Sequence, residues 1–90
     1  MADPVLNVRI VTPKQILFEG IASSVSSVNS AGKFDILPEH ANFITIIENN
    51  PIIIQGVDKE ITTYNFPLAI IYTAKNIVRI YTSLQQPSIS

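Results

Sequence analysis

Apolar and polar residues alternate along this chain with a period of two, and no stretch sustains the 3.6-residue period of a helix. Leu6, Val8 and Ile10 alternate with Asn7 and Arg9, which predicts a strand over 5–11 with one core face and one wet face. Thr12-Pro13 ends it. A short strand over 16–19 follows, closed by Gly20, and a third covers 21–28. Four serines stand among Ala22, Val25 and Val28 in that third strand, which suggests a sheet edge or a face shielded by something polar. Residues 29–32 form a hairpin loop in which Gly32 is free to take a positive φ.

The stretch 32–43 organises the rest. Phe34 and Ile36 point one way, Asp35 and Leu37 the other. Pro38 has no N–H for a ladder and stops the strand. Glu39 and His40, the only histidine, form a polar corner before the apolar strand 43–48. Beyond a turn at 49–51, residues 52–55 are apolar on both faces and read as a central or partner-covered strand. A turn at 57–59 leads to a strand over 60–66, broken by Pro67, then to a strand over 68–73 and a turn at 74–76. The last strand, 77–84, sets Val78, Ile80 and Thr82 against Arg79 and Tyr81. The expected layout is one all-β domain over 1–84 with a polar tail over 85–90. Its core is expected to hold Leu6, Val8, Ile10, Phe18, Val25, Phe34, Ile36 and Ile80.

Composition sharpens this. Sixteen of the 90 residues are isoleucine, whose branched side chain suits the pleat of a sheet. There is no cysteine, so neither a disulfide nor a thiolate metal site supports the fold. Hydrophobic residues make up 47% and charged residues only 14%, with a mean hydropathy of +0.31. That is apolar for a free domain of this size and fits either a thin dry core or a surface covered by another protein. A net charge of −1 with scattered Lys and Arg argues against nucleic-acid binding. No apolar run reaches the ~18–20 residues of a membrane-spanning helix. Met1-Ala2-Asp3-Pro4 carries an acid where a signal peptide carries a base. A cytosolic setting, without membrane insertion, is expected.

Candidate chemistry is sparse. Gly32-Lys33 is the nearest fragment of a phosphate loop, but Ser27 stands where the first glycine belongs and Phe34 where Ser or Thr would bind magnesium. One histidine without cysteine gives no usual zinc set. A triad could be drawn from His40, Asp35 or Glu39 and a serine, yet no serine stands on a nucleophile elbow. His40 reads first as a corner residue bonded to backbone, and second as a partner contact beside Glu39. Asp35 and Lys33 read as solvated. Tyr72 and Tyr81 fit sheet packing or an interface.

Two spaced motifs go further. Leu6-x-Val8-x-Ile10-Val11-Thr12-Pro13 followed by Leu17-Phe18-Glu19-Gly20, and then Gly32-x-Phe34-x-Ile36-Leu37-Pro38-x-His40-Ala41, resemble the N-terminal domain of the epsilon subunit of F-type ATP synthases, called delta in mitochondria. The likeness runs from about Leu6 to about Thr82. It implies a flattened β-sandwich of two antiparallel sheets and a non-catalytic subunit of the central stalk. That subunit would pack on the gamma subunit, contact the c-type rotor ring and turn with it, coupling proton flow to ATP synthesis. It would lie peripherally on the cytoplasmic face of the inner or plasma membrane. The resemblance places Thr12, Lys33, Glu39 and His40 at the ring-facing end, and Tyr72 and Tyr81 are candidates for the gamma face.

Three departures stand out. Asp35 and Glu39 replace glycines usual in the family, and Pro67-Leu68-Ala69 replaces a small residue and two glycines. The family's C-terminal helical hairpin, which in some members binds ATP, has no counterpart in 85–90, so no nucleotide site or other cofactor is expected. A free-standing β-sandwich binding module is the alternative, because folds host many functions.

The failed phosphate loop yields a first test. Millimolar ATP with magnesium should leave the melting temperature unchanged, since any ligand held by the native state alone must raise it. A saturable upward shift in a thermal-melt titration would contradict this.

Overall fold

The computed structural model describes residues 4–39 and 41–83. It contains nine strands: β1 (Leu6–Val11), β2 (Ile16–Ala22), β3 (Ser24–Asn29), β4 (Gly32–Ile36), β5 (Phe43–Glu48), β6 (Pro51–Gln55), β7 (Ile61–Asn65), β8 (Leu68–Ala74) and β9 (Ile77–Tyr81). They form a five-stranded sheet in the order β2-β1-β9-β8-β5 and a four-stranded sheet in the order β4-β3-β6-β7. The fold is the expected all-β sandwich. Every pair is antiparallel except β1/β9, where Val8 faces Val78 and Ile10 faces Ile80 in parallel register.

Alternation builds the core. Leu6, Val8 and Ile10 of β1, Val78 and Ile80 of β9, and Ala69 and Ile71 of β8 point inward from the larger sheet. They meet Val25, Ile36, Ile52 and Ile54 from the smaller one. Each such side chain contributes roughly 1.5–3 kcal/mol by leaving water. β6 lies between β3 and β7, with Ile52 and Ile54 buried in the core and Ile53 half-buried on the outer face. Aromatic pairs close the two open sides of the sandwich. Phe34 of β4 meets Phe43 of β5 with ring centroids 5.4 Å apart, and Phe18 of β2 meets Tyr64 of β7 edge-on at 6.1 Å.

That position corrects two of the expected core residues. Phe18 and Phe34 sit on the outermost strands and are half-buried against the core, because no further strand covers their outer flank. The serine-rich strand is also not an edge. β3 runs between β4 and β6, and its hydroxyls serve its neighbours: Ser26 donates to Asp35 Oδ1 at 2.5 Å and Ser27 to the Pro51 carbonyl at 2.8 Å.

Strand boundaries shift for local reasons. β2 continues through Gly20, which pairs with Val8. The break comes instead at Ser23, whose N–H donates to the Gln55 carbonyl at 2.8 Å as the chain crosses between sheets. Gly32 has φ 120° at the β3–β4 hairpin, as its place in the loop suggested. The last strand ends at Tyr81, although the Thr82 N–H still donates to the Val11 carbonyl at 3.1 Å. Leu84 and the 85–90 tail lie outside the described residues.

Core truncations should therefore rank by burial. Ile80→Ala, at a fully buried site on the central strand, should cost about 2–5 kcal/mol in urea unfolding, and Phe34→Ala less. The Thr73 hydroxyl is buried without a hydrogen-bond partner among the described residues, so Thr73→Val should raise the unfolding free energy by about 1 kcal/mol.

Candidate functional site

The sandwich has two outer faces of opposite character. The four-stranded sheet shows water Lys33 and Asp35 from β4, Ser24 and Ser26 from β3, and Thr63 and Asn65 from β7, with Ile53 and Ile61 among them. The five-stranded sheet shows isoleucine and tyrosine. Most of the exposed large apolar side chains lie there, among them Ile21, Ile44, Ile46, Leu68, Ile70, Tyr72, Ile77 and Tyr81.

Register sets their arrangement. One row across the sheet reads Glu19, Arg9, Arg79, Tyr72, Ile44. The next reads Val11, Tyr81, Ile70, Ile46, with Leu68 and Glu48 beyond it. Ile44 is 66% exposed and Ile46 56%, which is far from the usual fate of isoleucine. A contiguous apolar face of this kind marks a surface that another molecule covers. At one end it runs into a groove of about 400 Å³ lined by Val11, Thr12, Pro13, Leu68, Ile70 and Tyr81.

Charges on the face are few. Arg9 donates to Glu19 Oε2 at 2.5 Å, and both side chains are about half exposed, so the pair contributes only ~0–1 kcal/mol. Arg79 stands beside Arg9 in the parallel register and has no carboxylate partner among the described residues. No group of His, Cys, Asp or Glu among the described residues is arranged to hold a metal.

Tyr72 and Tyr81 both lie on this face, on the neighbouring strands β8 and β9. The residues expected at the ring-facing end are not gathered into one patch. Thr12 is buried, and its hydroxyl serves its own loop: it accepts the N–H groups of Lys14 and Gln15, each at 3.1 Å. Lys33 is exposed at the start of β4. Glu39 follows the other end of the same strand. There its N–H donates to Asn76 Oδ1 at 2.5 Å, which ties the corner to the β8–β9 turn. Thr12 lies at the Leu68 end of the larger sheet, opposite that turn, and the β3–β4 hairpin lies toward Pro51, where the chain arrives from that same end. Thr12 and Lys33 therefore share an end that Glu39 does not. His40 lies outside the described residues.

Glu39 has φ 68°, a left-handed conformation in which glycine is at ease. This accounts for the departure noted in the sequence: the backbone keeps the glycine geometry and a side chain is carried on it. The face residues Ile44, Ile46 and Ile70 were not singled out by sequence reasoning. Their signal was present, since 43–48 and 68–73 carry isoleucine on both faces of the strand.

The fold is a two-layer β-sandwich with one polar and one apolar outer face. Residues 5–84 match the family described as ATP synthase, Delta/Epsilon chain, beta-sandwich domain, and the chain belongs to that family. Among curated relatives, the ATP synthase epsilon chain of Sulfurimonas denitrificans is 36% identical over 56 residues, covering 62% of this chain and 43% of the relative. That of a Sulfurovum species is 30% identical over 53 residues, covering 59% and 41%. The chain thus spans less than half the length of these relatives.

Solved structures share the fold. A chain of the Euglena gracilis mitochondrial ATP synthase, solved as OSCP/F1/c-ring, superposes with a TM-score of 0.81 at 8% identity, covering 89% of this chain and 51% of that one. A chain of the Tetrahymena thermophila mitochondrial ATP synthase central stalk and c-ring gives 0.69 at 13% identity, covering 87% and 63%.

The corner contact predicts a local effect. Asn76 has φ 64° and follows Lys75 at φ 53°, a left-handed pair that makes the tight β8–β9 turn. Asn76→Gly keeps the turn but removes the acceptor for the Glu39 N–H. Amide exchange at Glu39 should then speed up while that of Ile71 stays slow, and Asn76→Ala should also lose about 1–2 kcal/mol of stability.

Proposed function

We propose that this chain is a non-catalytic central-stalk subunit of an F-type ATP synthase, joining the gamma subunit to the c-type rotor ring and carrying rotation between proton flow and ATP synthesis. The observation that carries the reading is the apolar outer face of the five-stranded sheet in a domain of the delta/epsilon family. That face, with Tyr72 and Tyr81 on it, is the gamma-facing surface. Tyrosine suits such a surface because it offers a large apolar ring and a polar tip.

The ring-facing contact is carried by the end that bears Lys33. It is polar and exposed, so it sets register and adds little affinity. Glu39 lies beyond the opposite end of β4, and Thr12 supports its loop from within. The subunit lies peripherally, on the cytoplasmic face of the inner or plasma membrane. Among the described residues no helix is long and apolar enough to cross a membrane.

A free-standing binding module would use the same face for some other partner, and gamma binding separates the two readings. In a pull-down with the gamma subunit of the same organism, the wild-type chain should be retained. Tyr72→Ala combined with Ile44→Asp should lower affinity at least tenfold with little change in melting temperature, since both side chains are exposed. No retention of the wild-type chain would refute the stalk assignment. For orientation, a cysteine at Lys33 should cross-link to the polar loop of the ring subunit in the assembled complex, and one at Glu39 should not. The reverse pattern would invert the domain on the ring.

A further inference from the structure

We infer that the partner's surface over the five-stranded sheet presents a carboxylate to Arg79, set beside a bulky apolar side chain that fills the groove between Pro13 and Leu68. The inference rests on the stalk reading and specifies the chemistry of the surface that the gamma subunit must offer.

The argument begins with a local conflict. Arg9 and Arg79 are register partners on adjacent strands, and like charges placed directly opposite each other destabilise a sheet. Arg9 is relieved by Glu19 on its other side. Arg79 is not: its other neighbour is Tyr72, and beyond that lies Ile44. Arg79 thus stands at the border of the apolar field, with Arg9 on one side, Tyr72 on the other and no carboxylate of its own among the described residues. When a partner covers that field the cation loses its water, which is costly unless an anion meets it. A carboxylate is the matching group, because the planar guanidinium donates to it in parallel pairs.

The groove fixes where the apolar anchor goes. Tyr81, which walls it, follows Arg79 by two residues on the same face of β9. The Cα atoms of Arg79 and Tyr81 are therefore about 7 Å apart, at ~3.3 Å per residue. One partner element of ordinary length can reach both. The groove is apolar along Val11, Pro13, Leu68 and Ile70 and is of a size to accept a leucine or an aromatic ring. An anchor in a pocket with a charge pair alongside is the usual composition of an energetic centre in an interface.

Arg79→Glu tests this cleanly, because it moves stability and binding in opposite directions. In the isolated domain the new carboxylate faces Arg9, so the like-charge pair becomes an opposite pair and the melting temperature should hold or rise. Binding to the gamma subunit should nevertheless weaken by about 30-fold or more, the loss expected when one member of a covered charge pair is reversed. Arg79→Met, which keeps the apolar stem, should fall between. Lys59→Glu makes the same charge change on the turn of the four-stranded sheet and should leave affinity unaltered. Exchanging an acidic residue of the gamma subunit for lysine should restore binding to Arg79→Glu.

If the wild-type chain binds gamma and Arg79→Glu binds within twofold of it, the carboxylate assignment is wrong while the stalk reading stands. If the wild-type chain does not bind gamma, the stalk reading fails and the assignment falls with it. If the wild-type chain forms a dimer by sedimentation that Arg79→Glu abolishes, the face is occupied by a second copy and the inference is overturned.

Discussion

The parallel pairing of β1 with β9 holds the larger sheet together. Without it, that sheet is two pieces: the β1–β2 hairpin and the three strands β5, β8 and β9. The pairing joins strands from opposite ends of the described chain, so its loop-closure cost is met only when the rest of the domain is in place. What holds the seam is burial. Val8 and Ile10 face Val78 and Ile80, and all four are almost wholly removed from water. Two further backbone bonds continue the ladder past both strand ends, from the Asn7 N–H to the Asn76 carbonyl and from the Thr82 N–H to the Val11 carbonyl. The inner surface onto which the four-stranded sheet packs exists only once this seam has formed.

Much of this was legible in the sequence, because a period-two pattern fixes which residues share a face. Leu6, Val8, Ile10 and Ile80 read correctly as core, and so did the turns at Gly32 and at Lys75-Asn76. What could not be read was neighbourhood. Phe18 and Phe34 are as apolar as any core residue, but their half-burial follows from lying on outer strands, which depends on sheet order. The serines of β3 suggested an edge or a face shielded by something polar; the choice between them was not legible because their acceptors, Asp35 and the Pro51 carbonyl, lie on other strands. The candidate site was half legible for the same reason. Tyr72 and Tyr81 fall on one face, whereas Lys33 and Glu39 are separated by the length of β4.

The difference between the two outer faces links composition to role. A chain that is 47% hydrophobic has more apolar side chains than its interior can hold. The excess is not spread evenly. It is concentrated on one sheet, where Ile44, Ile46, Ile70, Tyr72 and Tyr81 adjoin, while the other sheet shows mainly serine, threonine, asparagine and charge. Free in water, such a face is a liability for association; in an assembly it supplies the affinity. The hydrophobic excess noted from composition is thus located on one surface.

The seam also has a mechanical meaning. β1 and β9 run side by side in the same direction, so the chain enters the seam at the Leu6 end and leaves it at the Tyr81 end. Pulling residues before Leu6 away from residues after Tyr81 draws the two strands past each other along their length. Their cross-strand bonds are then strained together, in shear, and cannot open one by one as they would if peeled from an end. A sheet clamped in this way resists tension better than one whose strands peel apart. Stiffness of that kind is what a small domain needs if it is to pass a twisting load without giving way.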